Sequence, residues 1–266
     1  MMRLFTNIYL LVFFGFFQAC YFNPFVQGIV NPVEEEEDSS ALLLGAAVGL
    51  GSPGKVKLTG QVVDSNGTAI SGGTLNIVNR TNTSTDLDDR VNLDEGGRFY
   101  LILTTGETSF RVEQSGTEIF TFKLLIPIDG VVSVIEKSIP GPNLINLEFY
   151  SSGFTPEYFD IVLTTPHDNE NLSSWPTNVT IIFSEPLETP SDLQTFLDAN
   201  VITSPSITLQ GSNSTLNSHI LSIYNSSSFS IGTNTYRFGS GIKSNTGKSL
   251  APRTITYICE SPCNGS

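Results

Sequence analysis

"VKLTGQVVDSNGTAISGGTLNIVN", residues 56–79, decides the fold class. Apolar and polar side chains alternate on either side of a turn rich in Asn and Gly, which is the pattern of two half-buried strands joined by a tight hairpin. Alternation resumes in "GGRFYLILTTGETSFRVEQSGTEIFTFKLLI", residues 96–126, where Phe99, Leu101 and Leu103 fall on one side. A meander of short strands is expected. Asp64 and Gly67 suit the first turn, Gly96 and Gly97 are expected to supply positive φ, and Phe99 should plug the core after that turn.

The rest of the chain extends this reading. Thr, Val, Ile, Ser, Asn and Gly are frequent and periodic helix formers are few, which points to an all-β protein. The expected exception is "SDLQTFLDA", residues 191–199, where Ser191 could cap a helix presenting Leu193, Phe196 and Leu197 on one face. In "NVTIIF", residues 178–183, Val179, Ile181 and Phe183 should face a core while Thr180 and Ile182 face away, with Pro186 ending the strand. Tyr236 is expected in the same core beside Phe183, and Trp175 as a plug at the core or the sheet edge.

With 26 acidic against 13 basic side chains, nucleic acid is excluded as a natural partner. The opening is of another kind. Arg3 precedes an apolar run over residues 4–17, and "FFQAC" closes it at Cys20. This is the layout of a secretory signal, too short to cross a bilayer as a permanent helix. A small residue, Ala19, before Cys20 resembles the lipobox of bacterial lipoproteins, in its looser spirochaete form because Phe17 stands where Leu is usual. The resemblance implies cleavage before Cys20, lipidation of that residue, and an outer-membrane anchor.

Between Cys20 and Lys55 the chain shows no strand alternation and carries "EEEED", residues 34–38, and "ALLLGAAVGLG", residues 41–51. It reads as a tether on the order of 110 Å when fully stretched. Its acidic run is a solvated spacer. The apolar patch packs on the first module, lies in the lipid interface, or meets a partner.

Two modules follow. "GQVVDSNGTAISGG", "LDEGGRFYLIL" and "TGETSFRVEQSG", within residues 55–152, resemble the carboxypeptidase-regulatory-like (transthyretin-like) β-sandwich. "FDIVLTTPHDNENLSSWPTNVTIIFSEPL" and "IGTNTYRFGSGIKSNTGKSLAPRTITYI", within residues 157–258, resemble the bacterial Ig-like domain of surface-layer and other envelope proteins, with Ser244 where that family usually has Asp. The expected organisation is a signal peptide over 1–19, a lipidated N-terminus and tether over 20–54, sandwiches over 55–152 and 157–258, and a tail over 259–266.

Chemistry-bearing motifs are sparse. Setting Cys20 aside leaves Cys259 and Cys263, an even pair that reads as a disulfide in an exported chain, more readily than as a zinc site or as two free thiols. "DLDD", residues 86–89, and "HDNEN", residues 167–171, offer carboxylates without the spacing of an EF-hand loop, so no metal site is assigned. The two histidines, His167 and His219, belong to no catalytic motif, and "GKSL", residues 247–250, lacks the first glycine of a phosphate loop and reads as a turn. The expectation is a binding protein, not an enzyme, with no cofactor beyond the lipid on Cys20. Its partners would be the membrane through that lipid and a host or envelope protein, presented at the cell surface or, alternatively, facing the periplasm as a scaffold.

Overall fold

In a computed structural model of the chain, the residues described are 54–84, 87–128, 131–138, 141–150, 153–260 and 263. The segments expected to be a signal peptide and a tether, up to residue 53 and including Cys20, lie outside them, as do Asp86 of the "DLDD" string and residues 261, 262 and 264–266. The described chain is all-β, built from two sandwiches with separate cores.

The first sandwich contains β1 (Lys55–Val63), β2 (Thr74–Arg80), β3 (Arg90–Asn92), β4 (Arg98–Thr104), β5 (Gly106–Gln114), β6 (Thr117–Ile126), β7 (Ser133–Lys137) and β8 (Asn143–Tyr150). A simple meander is not what forms. Only β5, β6 and β7 run as one, and the chain crosses between a three-stranded sheet ordered β4-β1-β8 and a five-stranded sheet ordered β3-β2-β5-β6-β7. The crossing follows from the apolar faces. Leu58 and Val62 of β1 and Phe99, Leu101 and Leu103 of β4 must meet Phe110, Val112, Phe120, Phe122 and Leu124 of the other sheet to leave water.

The turn chemistry explains how the chain reverses and corrects two expectations. The 64–69 hairpin closes on the single Val63–Ala69 bridge, and β1 and β2 do not pair, because their apolar faces belong to different sheets. Asp64 accepts the backbone N–H groups of Asn66 and Thr68 at 2.8 and 2.9 Å, and Gly67 has φ +76°. Asp94 does the same for Gly96 and Arg98 at 2.9 and 2.8 Å. Of the two glycines here only Gly97 has positive φ, at +71°. Gly96 serves a different need, because a Cβ there would sit 2.8 Å from Cβ of Asp160.

The second sandwich contains β9 (Tyr158–Phe159), β10 (Ile161–Thr165), β11 (Glu170–Leu172), β12 (Asn178–Phe183), α1 (Leu193–Asn200), β13 (Val201–Ser204), β14 (Thr215–Asn217), β15 (Ile220–Tyr224), β16 (Gly232–Phe238), β17 (Ser249–Leu250) and β18 (Arg253–Cys259). Sheets ordered β10-β12-β15-β14 and β11-β18-β16-β13 face each other, and β9 pairs with β17 in parallel. Val179, Ile181 and Phe183 point into the core as their alternation requires, and Trp175 packs against it half-buried. Tyr236 is fully buried, but its ring contacts are Phe229 and Tyr257, whereas the Phe183 ring lies tilted against that of Phe159, 5.8 Å away. The helix is capped by Asp192 instead of Ser191. Its carboxylate accepts the Thr195 N–H at 2.7 Å, three residues on, where the cap geometry places the unpaired donor.

β18 extends through Cys259, so that residue belongs to the second core and not to a tail starting at 259. Cys259 and Cys263 are joined by a disulfide with their Cα atoms 6.1 Å apart, and both sulfur-bearing residues are buried.

Candidate functional site

The chemically densest place in the described chain is the junction of the two sandwiches. It is assembled from side chains that strand alternation alone assigns to the outer face of the first sheet. On β1 and β4, Thr59, Gln61 and Arg98 sit opposite the core-facing apolar positions, yet all three are buried. The start of the second sandwich covers them.

Arg98 is the centre. Its Nε and Nη2 donate to the two carboxylate oxygens of Asp160 at 2.8 and 2.6 Å, a bidentate pair, and its Nη1 donates to Thr59 Oγ1 at 3.2 Å. The guanidinium also lies over the Tyr158 ring, 4.9 Å from its centroid. Side-chain exposure is 0% for Arg98 and 2% for Asp160. Burial alone would lower the Arg98 pKa, and the hydrogen bonds and charge of Asp160 outweigh it and raise the pKa above the ordinary value. Burial raises the pKa of nearby Asp94, and the Asp160 charge acts in the same direction.

A second arginine braces the same junction from β18. Arg253 donates to the carbonyl of Gly67 at 2.5 Å and to that of Ile161 at 3.0 Å, with Asp168 3.7 Å away. Burial lowers its pKa, opposed by Asp168 and Asp160. Gln61 Nε2 reaches the carbonyls of Gly96 and Ile161 at 2.8 and 3.0 Å. Two backbone bonds cross as well, from the Ala69 N–H to the Val162 carbonyl at 2.7 Å and from the Asp168 N–H to the Asn66 carbonyl at 3.2 Å.

Both sequence-marked acidic places are thereby located. "HDNEN" is more than a turn: Asp168 accepts the Thr256 N–H at 2.9 Å, and Glu170 accepts the His167 N–H at 2.7 Å and opens β11. Asp89 of "DLDD" pairs with Arg80 at 2.6 Å. Among the described residues no group of three or more His, Cys, Asp or Glu side chains gathers in metal-binding fashion. His219 lies far from His167 in the fold, on the β14–β15 turn where its carbonyl accepts the Phe183 N–H. The structure does not bring the two histidines together.

The chain matches no protein-family model and no curated protein.

Two further places have local chemistry of their own. In the late turn, Ser244 Oγ accepts the Lys248 N–H at 3.2 Å, while Glu185 binds Thr246 and the Lys248 ammonium. Although partial burial would raise the Glu185 pKa, its hydrogen bonds to Lys248, Thr246 and Ser244 hold it below the usual carboxylate range. "GKSL" is therefore a β-turn with Gly247 at φ +88°, locked by an ion pair. The other place is the edge of the five-stranded sheet. Every residue of β7 is exposed, and Leu125, Ile128, Val131, Val134 and Ile135 present apolar surface along it. Next to this edge a groove of about 460 Å³ is lined by Val78, Phe122, Lys123 and Glu136 among others. No helix among the described residues is long and apolar enough to cross a membrane.

Arg98, Asp160, Arg253, Thr59 and Gln61 are the residues that reading the sequence missed. The available signal was a run of polar and charged residues, Thr59, Gln61 and Arg98, at the outward positions of two paired strands.

Proposed function

We propose that the protein is an exported bacterial lipoprotein, anchored in the outer membrane through lipid on Cys20, whose two sandwiches form a binding unit for a host or envelope protein. The observation that carries the reading is the opening: a single arginine, an apolar run too short to span, and Ala19-Cys20 at its end. Within it the first sandwich is of the carboxypeptidase-regulatory-like type and the second of the bacterial Ig-like type, modules that usually present surfaces instead of performing chemistry. The exposed β7 edge, with its apolar side chains, supports a binding role because an open sheet edge is a surface that other chains can extend. Two or three acyl chains, each contributing about 0.8 kcal/mol per buried methylene, would hold the anchor permanently.

Two experiments test this. Cys20→Ser should release the protein from membranes; an uncleaved protein that stays in the membrane fraction would sink the lipoprotein reading. Protease treatment of intact cells, beside a periplasmic control, should digest the sandwiches while sparing the control. Digestion only after lysis would instead place the unit in the periplasm as an envelope scaffold, a role that the tightly fastened junction would also serve.

A further inference from the structure

The junction contains groups that neither sandwich satisfies by itself. The ion-pair partner of Arg98 and the ring beneath its guanidinium both come from the second sandwich. In return Gly67 and Asn66 of the first supply carbonyls to Arg253 and to the Asp168 N–H. Contacts between neighbouring modules are ordinarily polar and permissive of movement. Here the fit leaves no slack: an added Cβ would lie 2.6 Å from Arg253 Nη2 at position 67 and 2.8 Å from Cβ of Asp160 at position 96. Sliding one sandwich against the other would strand a buried guanidinium and a buried carboxylate, each too costly to leave unpaired.

We infer that the 64–69 hairpin and the start of β4 interlock with the start of the second sandwich, so that both modules form one rigid body that unfolds as a single cooperative unit. Arg98–Asp160 is the bolt of that interlock. The consequence is geometric: loops at the far end of the second sandwich keep a fixed direction relative to the first, whether or not the chain is lipid-anchored.

Differential scanning calorimetry of the full chain in detergent tests this. The wild type should give one transition across both sandwiches, with calorimetric and van't Hoff enthalpies in agreement, and 1 M NaCl should leave it single because a buried pair is little screened. Asp160→Asn should split the transition in two, the lower lying about 10 °C below the wild-type midpoint. Arg98→Lys keeps the charge but loses the bidentate fork, and should lower the midpoint by a smaller amount; this variant gives the reading if Asp160→Asn fails to accumulate. Two separate wild-type transitions would overturn the inference. So would a midpoint that neither variant moves.

Discussion

Two ion pairs, one between the sandwiches and one within the first, make a useful contrast. Arg98–Asp160 at the junction and Lys123–Glu136 on the β6–β7 edge have similar separations, 2.6 and 2.9 Å. Their surroundings differ entirely. Arg98 and Asp160 show 0 and 2% of their side-chain surface, Lys123 and Glu136 24 and 67%. On the edge, water competes for both charges and the pair adds little. At the junction there is no water to fall back on, so losing one partner leaves a charge uncompensated. Distance alone says nothing about which pair holds the architecture; burial does.

The contrast can be broken most directly at its strong end. Asp160→Ala is expected to cost about 3–5 kcal/mol in urea-induced unfolding, and a loss no larger than that of a surface substitution would remove the distinction. A neutral buried bond sharpens the comparison at the next level. Asn225 accepts the Tyr236 hydroxyl at 2.6 Å and donates to the Pro176 carbonyl at 2.8 Å, so Asn225→Ala should cost about 1–3 kcal/mol by leaving those groups unpaired.

The half-buried Glu185–Lys248 pair lies between the extremes and can be read by pH. Because the Glu185 pKa is depressed in the folded protein, its contribution is present above the ordinary glutamate pKa of about 4.3 and is lost as pH falls through the folded value. Glu185→Gln should therefore lower Tm at neutral pH, with the gap from wild type closing below about pH 4. A gap that widens on acidification would contradict the assigned direction. At the weak end, Lys123→Met should leave Tm unmoved; a clear drop would mean that the edge pair matters to the fold.

Most of the fold was legible because alternation reports which residues leave water. Phe99, Leu101, Leu103, Val179, Ile181 and Phe183 all stand where their period places them. The junction was not legible, for a physical reason. A polar side chain on the outer face of a strand has the same sequence signature whether it meets solvent or the matching polar surface of another module. Arg98 between Gly97 and Phe99, and Asp160 between Phe159 and Ile161, could be recognised as partners only once 62 positions of chain had been folded back on themselves. Gly96 likewise has the sequence signature of turn chemistry, although its missing Cβ makes room for Asp160. The Ser191 cap failed on a finer scale, since Asp192 is adjacent and of the same capping class.

The position of β18 bears on how the molecule is made. This strand lies between β11 and β16 in its sheet and also delivers Arg253 to Gly67, 186 residues earlier in the chain. A polypeptide emerging from its N-terminus first would have the hairpin and Asp160 in hand long before Arg253 arrived. The second arginine is thus the last bolt to be driven, and until it emerges the nascent protein carries an unfinished hinge where the mature one has a weld.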